Sequence, residues 1–204
     1  MSLSAGTRLL ITVLLFYAGW VKFTFDGADV YLADYAQRIV ILTLGLASLR
    51  DGFTPPWPRA PERVWTFAAL GALAIMVADM YTQSLPWRGA FDDFLFPGAS
   101  FPEPPGPAWA WLDLTFGLAL VALSEELVFR KLWADWRDSR PGHAEWKLYA
   151  GSTLAFACLH LPQGLADTAV AALWGLLLMA VYRKGGSLPL VVLIHFLADL
   201  WYFA

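Results

Sequence analysis

Charged residues are scarce in this 204-residue chain, where Asp, Glu, Lys and Arg together make up 15% of the sequence. Soluble domains usually contain about 25% charged residues, so the shortage argues against a water-soluble globular protein. Basic residues are not in excess, because 14 Lys and Arg stand against 17 Asp and Glu. This balance argues against a nucleic-acid partner, and the single cysteine, Cys158, excludes an internal disulfide framework. Hydrophobic residues instead reach 58%, including 11 Trp and 14 Phe, which predicts a protein whose solvent is the lipid bilayer.

Several sequence signatures of hydrolytic sites are missing as well. The chain contains no H-E-x-x-H zinc-binding helix, no G-x-G-D segment and no G-x-S-x-G nucleophile elbow. Any hydrolytic chemistry must therefore come from other residues.

Apolar runs divide the sequence into segments of about the 20 residues that cross a bilayer as a helix. Proline-rich connections lie at 51–61 and 86–107. No small-residue cleavage site follows the first run, so we expect it to be retained rather than removed as a signal peptide. The sequence predicts an all-α, polytopic membrane helical bundle of about seven transmembrane helices, forming one transmembrane domain over residues 1–204. The predicted spans are Arg8–Phe25, Tyr35–Leu49, Arg63–Leu85, Trp109–Trp133, Trp146–Leu161, Leu165–Tyr182 and Ser187–Phe203.

The distribution of Lys and Arg predicts the orientation of these spans, because basic residues accumulate in short cytoplasmic loops. With the N-terminus inside and the C-terminus outside, 11 of the 14 basic residues fall on the inner side. The exceptions at the outer margins are Lys22, Arg38 and Arg88.

Ionisable residues inside apolar spans are energetically unfavourable and indicate function by default. The fourth span contains Glu125, Glu126 and Arg130, in the pattern E-E-x-x-x-R. On a helix, Glu126 and Arg130 lie one turn apart and can pair, whereas Glu125 is rotated away and is expected to stay free. A structural ion pair at a cytoplasmic helix end is the alternative interpretation of Glu126 and Arg130.

Two further pairs of residues share a helical face at a spacing of four. They are Phe156 with His160 in the fifth span, and His195 with Asp199 in the seventh. A single histidine in a membrane helix is more often a packing residue. Two histidines, a glutamate pair and an aspartate on three spans instead favour a common site.

These groups could hydrolyse a peptide bond in two ways. Glu125, kept away from bulk water, could take a proton from a water molecule while one histidine holds that water and another stabilises the oxyanion. No cofactor is needed in that case. Alternatively, Glu125, His160 and His195 could bind a divalent metal such as zinc, which would activate the water. The residues leave both alternatives open.

At these positions the sequence closely resembles the CPBP family, the CAAX proteases and bacteriocin-processing enzymes, also called the Abi family. That family carries E-E-x-x-x-R, then F-x-x-x-H, then H-x-x-x-N or H-x-x-x-D on separate membrane helices. All three motifs occur here in order. The resemblance covers a protease-like core at residues 113–201, while the first three spans match no known pattern.

The resemblance implies an intramembrane endopeptidase, described as glutamate-type although often called a metalloprotease. It implies that Glu125 activates water together with His160, that Glu126 and Arg130 organise the site, and that His195 and Asp199 occupy the oxyanion-hole positions. Phe129 and Phe156, which lie within the motifs, are expected at a substrate pocket or in the packing beside it.

Asp199 departs from the Asn found in members related to the eukaryotic Ras-converting protease. An ionised carboxylate cannot donate a hydrogen bond to an oxyanion. Asp199 is therefore expected either to be protonated or to orient His195, and the departure weakens the case for prenylated substrates.

The resemblance also implies the partners. The substrate is expected to be a membrane-anchored protein or peptide, with a C-terminal sorting tail as one class, and the enzyme is expected in a bacterial inner membrane. Arg outnumbers Lys ten to four, which is typical of a GC-rich bacterial genome. The competing hypotheses are a non-catalytic membrane adaptor or immunity-type protein of the same fold and a small proton-coupled carrier.

Overall fold

The computed structural model describes residues 3–25, 27–50, 61–83, 103–140, 142 and 144–204. This part of the chain is almost entirely helical and contains no β-strand. The predicted all-α class is therefore confirmed within the described ranges. Most of the two proline-rich connections, 51–60 and 86–102, falls outside them.

Each of the seven predicted spans corresponds to a helical stretch. The second helix begins seven residues earlier than predicted, and the fourth stretch is one uninterrupted run over 107–138 in which three α-helices alternate with two π-helical segments. Short 3-10 helices follow the first helix and precede the eighth. The α-helices are α1 (Ala5–Ala18), α2 (Ala28–Arg50), α3 (Pro61–Gln83), α4 (Pro107–Leu112), α5 (Leu118–Glu126), α6 (Trp133–Asp138), α7 (Glu145–Cys158), α8 (Leu165–Gly185) and α9 (Leu188–Phe203).

Two compact units make up the chain. The first unit comprises Met1–Pro56, Phe101–His143 and Ser187–Ala204, and the second comprises Trp57–Ser100 and Ala144–Gly186.

In the first unit, α5 and the π-helical segment Leu127–Leu132 contact α1, α2 and α9. Close approach of the backbones requires a small residue at Gly45 of α2, where an added Cβ would collide with Leu127. A helix that is surrounded by three others can bury polar side chains away from lipid, which is the usual position of such groups in membrane proteins.

In the second unit, α8 packs against both α3 and α7. Glycine again permits the contact, because a Cβ at Gly175 of α8 would lie 3.3 Å from the Phe156 ring. The opposite side of α3 exposes large apolar side chains such as Leu70, Leu73 and Val77. Exposed leucines and valines at this density are expected where the solvent is lipid.

Three stretches among the described residues are long and apolar enough to cross a membrane: Ala5–Lys22, Pro61–Tyr81 and Leu165–Gly185. The shorter helix Leu188–Phe203 is also apolar. The other predicted spans carry more charge, since α2 contains Asp29, Asp34 and Arg38, and the run 107–138 contains the E-E-x-x-x-R motif. Asp34, Arg38 and the motif residues belong to the site described next.

Candidate active site

The E-E-x-x-x-R motif lies near the middle of the helical run 107–138. Its two glutamates end α5, and Arg130 lies in the π-helical segment Leu127–Leu132 that follows. Short π-helical segments inside α-helices occur frequently at functional sites. The pair does not lie at the end of the helical run, which continues through Asp138, and both glutamates are buried. A catalytic rather than structural role for the pair stays a prediction.

Glu126 is completely buried and joins two helices. Its Oε1 accepts a hydrogen bond from Nδ1 of His195 on α9 at 2.8 Å. Its Oε2 lies 2.9 Å from Nε of Arg130, forming the predicted ion pair. The two contacts fix the carboxylate and also fix the orientation of the imidazole, because a ring with Nδ1 bound to Glu126 must direct Nε2 elsewhere.

Glu125 is also buried, and the expectation that it stays free is wrong. Its Oε1 accepts a hydrogen bond from Nη1 of Arg38 at 3.0 Å. Its Oε2 lies 3.8 Å from Nε2 of His195, within ion-pair distance but beyond a direct hydrogen bond. The two adjacent glutamates thus use different arginines, and both face the same imidazole.

Arg38 is the residue of this site that the sequence did not identify. Its Nε donates to Asp34 at 2.7 Å, and its Nη1 donates to Ser124 and Glu125, both at 3.0 Å. Asp34 also pairs with Lys22. The positive-inside pattern placed Lys22 and Arg38 at outer margins, but the pattern D-x-x-x-R within an apolar run was a signal of a buried pair.

Asp199 lies one turn beyond His195 on α9, with Oδ2 3.4 Å from Nε2 of that imidazole. Its side chain is 21% exposed, whereas the side chains of Glu125 and His195 are only 7% and 8% exposed. Within the first unit, Glu125, His195 and Asp199 therefore converge on one point, and Asp199 is the most accessible of the three.

Phe129 contributes to packing in the first unit. Its side chain is completely buried, and its ring lies 5.4 Å from that of Phe16 on α1. Arg38 in turn lies over the Phe16 ring at 5.9 Å. Of the two expectations for Phe129, packing beside the site agrees with this burial.

His160 belongs to the second unit, directly after α7 and before the 3-10 helix Leu161–Gln163. Its Nδ1 donates to the backbone carbonyl of Phe156 at 3.1 Å, and the two rings lie 4.9 Å apart. Because the carbonyl can only accept, Nε2 of a neutral His160 carries the lone pair. Phe156 itself is buried against α8.

The two glutamates that a divalent metal would need are already engaged in ion pairs. Among the residues that the structure describes, no group of three His, Cys, Asp or Glu side chains could hold a metal ion. Each motif glutamate already lies beside a guanidinium, Glu125 beside Arg38 and Glu126 beside Arg130. A dication placed between them would be repelled by both arginines.

Comparisons with known proteins show a similarity in the C-terminal half of the chain. No curated protein and no solved structure matches the chain. Residues 107–201 match the family model described as type II CAAX prenyl endopeptidase Rce1-like. The match begins at Pro107, includes all three motifs and omits α1, α2 and α3. Residues 107–201 are therefore similar to Rce1-like CAAX endopeptidases, in agreement with the resemblance that the three motifs carry.

Proposed function

We propose that this membrane protein is an intramembrane endopeptidase that hydrolyses a peptide bond near the C-terminal or membrane-anchoring segment of a protein substrate. The observation that carries the proposal is the buried arrangement of Glu125, Glu126 and His195 in an Rce1-like domain. Carboxylates and an imidazole are unfavourable in a protein interior unless they pair. Here they pair with each other in a geometry that suits acid–base chemistry.

Glu125 acts as the general base in this mechanism. Arg38 holds Oε1, so Oε2 is the oxygen that meets the water molecule. Glu125 takes a proton from that water while the water oxygen forms a bond to the scissile carbonyl carbon, giving a tetrahedral intermediate. The carbon–nitrogen bond then breaks as the carboxyl group returns its proton to the leaving amine.

His160 is proposed as the second group on the same water, as the resemblance implies. Its Nδ1 donates to the Phe156 carbonyl, so in a neutral ring Nε2 is the nitrogen that carries the lone pair, the kind of atom to which water donates a hydrogen bond. This orientation resembles that of other catalytic histidines, in which a bond to one ring nitrogen fixes the chemistry of the other.

His195 and Asp199 are proposed to stabilise the oxyanion. Glu126 accepts the Nδ1 hydrogen of His195, and in the imidazolium form Nε2 carries a hydrogen that can be donated to the oxyanion. Asp199 lies 3.4 Å from that Nε2, which supports a role in orienting the ring or, when protonated, in donating a second hydrogen bond.

The mechanism is proposed to be independent of metal. The guanidinium groups beside Glu125 and Glu126 already supply the positive charge that a metal would bring. The alternative, a zinc-dependent mechanism, predicts that chelation abolishes cleavage and that the purified protein contains stoichiometric metal.

The proposed substrate is a membrane-anchored protein or peptide, such as a protein with a C-terminal sorting tail, and the proposed location is a bacterial inner membrane. The site lies among apolar helices, so a substrate that already occupies the bilayer could reach it without crossing water. The composition in which Arg outnumbers Lys supports the bacterial assignment.

The test is cleavage of two internally quenched peptides by the full chain in liposomes, with and without Glu125→Gln. One peptide ends in a farnesylated cysteine followed by three residues, and the other ends in an apolar helix with basic residues after it. We expect cleavage of at least one peptide, unaffected by chelators and abolished in the variant, because glutamine keeps the shape of glutamate but cannot take a proton. Cleavage that survives Glu125→Gln would contradict the role of Glu125 as the base, whereas no cleavage of either peptide would favour the non-catalytic adaptor.

A further inference from the structure

A chain of ion pairs connects Glu125 to a part of the protein outside the Rce1-like match. It begins at Lys22, at the end of the first predicted span, passes through Asp34 and Arg38 of α2, and ends at Glu125. The match covers only residues 107–201, so three of these four residues lie beyond it. All of them belong to the first unit.

Arg38 occupies the central position in this chain. Its guanidinium donates from Nε to Asp34 and from Nη1 to Glu125, so one planar group sets the distance between two carboxylates on different helices. It is only 7% exposed. A buried arginine that binds two carboxylates has little rotational freedom, because its donors form a rigid fork.

Charge balance explains why α2 must supply this arginine. Four carboxylates surround the site, Asp34, Glu125, Glu126 and Asp199; Arg130 forms an ion pair with Glu126, and Arg38 forms ion pairs with Asp34 and Glu125. Without Arg38, Glu125 would face the carboxylates of Glu126 and Asp199 around a single imidazole. Like charges at such distances in a protein interior disfavour a fixed, ionised geometry.

We propose that Arg38, held by Asp34, is a positioning residue that fixes the general base Glu125. In this arrangement Arg38 binds Oε1 and thereby directs Oε2 toward Nε2 of His195, 3.8 Å away. α2 is then part of the enzyme's working site rather than only a membrane anchor. This inference rests on the proposed function.

The experiment compares Arg38→Gln with Lys131→Met in the full chain. Lys131 is a matched control, because it also is 7% exposed and pairs with a carboxylate four residues away, Asp135, yet contacts none of the motif residues through that pair. Arg38→Gln removes two buried ion pairs, with Asp34 and Glu125, and Lys131→Met removes one partly buried ion pair, with Asp135. Cleavage of the two quenched peptides is measured as kcat and KM separately.

We expect Arg38→Gln to lower kcat about 100-fold with little change in KM, because misplacing a catalytic group by about 1 Å has an effect of that size. Lys131→Met should leave kcat within about threefold of the original chain. Arg38→Lys should recover part of the loss, since it restores the charge but not the fork. Equal kcat in Arg38→Gln and Lys131→Met would overturn the proposal.

Asp34→Asn provides a second, milder variant. If Asp34 acts only through Arg38, we expect the Asp34→Asn substitution to lower kcat about tenfold in the original chain. In a chain that already carries Arg38→Gln, Asp34→Asn should not lower kcat further, because residues that act as one unit have non-additive effects. Full additivity of the two substitutions would contradict the chain of contacts. This comparison remains decisive if Arg38→Gln fails to fold, since Asp34→Asn can be combined with Arg38→Lys instead.

Failure of the proposal is distinguishable from failure of the proposed function. If Glu125→Gln abolishes cleavage but Arg38→Gln does not lower kcat, only the role of Arg38 is wrong. If no peptide is cleaved, the melting temperatures of Arg38→Gln, Glu125→Gln and the double variant still test the contact. The double variant should have a higher melting temperature than the sum of the two single-variant shifts predicts. Shifts in melting temperature that add strictly would overturn the pairing of Arg38 with Glu125.

Discussion

The two units of this protein differ in whether they bury charged side chains. The first unit buries a set of charged side chains, with Arg130 and Glu126 completely enclosed. Among the described residues of the second unit, the buried polar side chains are the uncharged Ser152 and Thr153. The first unit therefore contains a buried electrostatic cluster, whereas the second is packed mainly from uncharged side chains and contains His160. Substitution of a buried charge in the first unit should consequently lower the free energy of unfolding more than substitution of His160 does.

The largest effect is expected for Arg130→Met in the first unit. This substitution leaves Glu126 buried beside His195 without its arginine, and breaking a buried pair from one side destabilises by about 3–5 kcal/mol. Chemical unfolding in detergent measures the change. The double variant Glu126→Gln with Arg130→Met should regain part of the loss. A loss below about 1 kcal/mol, the range of exposed pairs, would show that the pair is solvated.

The two histidines should separate stability from activity. His195→Gln removes a partner of buried Glu126, which should lower the free energy of unfolding by about 1–3 kcal/mol. His160→Gln removes one hydrogen bond to a helix-end carbonyl and should lower it by about 1 kcal/mol or less. Both variants should stop cleavage of the quenched peptides. The contrast between the units would fail if His160→Gln were as destabilising as His195→Gln.

Packing, rather than charge, should be the sensitive feature of the second unit. Gly175→Leu would force side-chain atoms into the Phe156 ring and the Thr153 backbone, 3.3 and 3.5 Å from the position of an added Cβ. Overpacking of this kind typically destabilises by about 1–3 kcal/mol. The matched control is Leu173→Ala on the same helix, whose exposed side chain should change stability by less than about 0.5 kcal/mol. Similar melting temperatures for the two variants would contradict the close contact of α7 with α8.

The smallest effect is expected at the ion pair between Glu145 and Arg183. Nε of Arg183 lies 2.8 Å from Glu145, but their side chains are 26% and 42% exposed. Exposed pairs contribute about 0–1 kcal/mol and weaken with salt. Glu145→Gln should therefore shift the melting temperature slightly at low salt and not at high salt. A large shift at both salt concentrations would mean that the second unit also depends on buried charge.

The helical architecture was predictable because its signal is long and local. Apolar runs of about 20 residues predict membrane helices with little ambiguity, and each of the seven runs corresponds to a helical stretch. The predicted second span began at Tyr35, directly after Asp34 and seven residues beyond the start of α2. Asp34 is buried against Lys22 and Arg38, and a charge paired in this way can lie inside a helical bundle.

The candidate site was predictable in part for the same reason. Spacing of four residues on one helix correctly predicted the contact of Glu126 with Arg130 and the proximity of His195 to Asp199. Contacts between helices carry no such local signal. The bond from Arg38 to Glu125 joins residues 87 positions apart, and its arginine was interpreted as a marker of membrane orientation. The participation of His160 with Glu125 stays a prediction.

The π-helical segment Asp113–Gly117 has a consequence for insertions and deletions in this chain. A π-helical segment behaves as one extra residue inserted into an α-helix. Deleting one residue there can be absorbed by a return to regular α-helix, which keeps the faces on either side in phase. The same deletion inside α5 would rotate the residues beyond it by roughly 100° relative to those before it, turning Glu125 and Glu126 away from α2 and α9. The chain thus has a tolerant position and an intolerant one only a few residues apart.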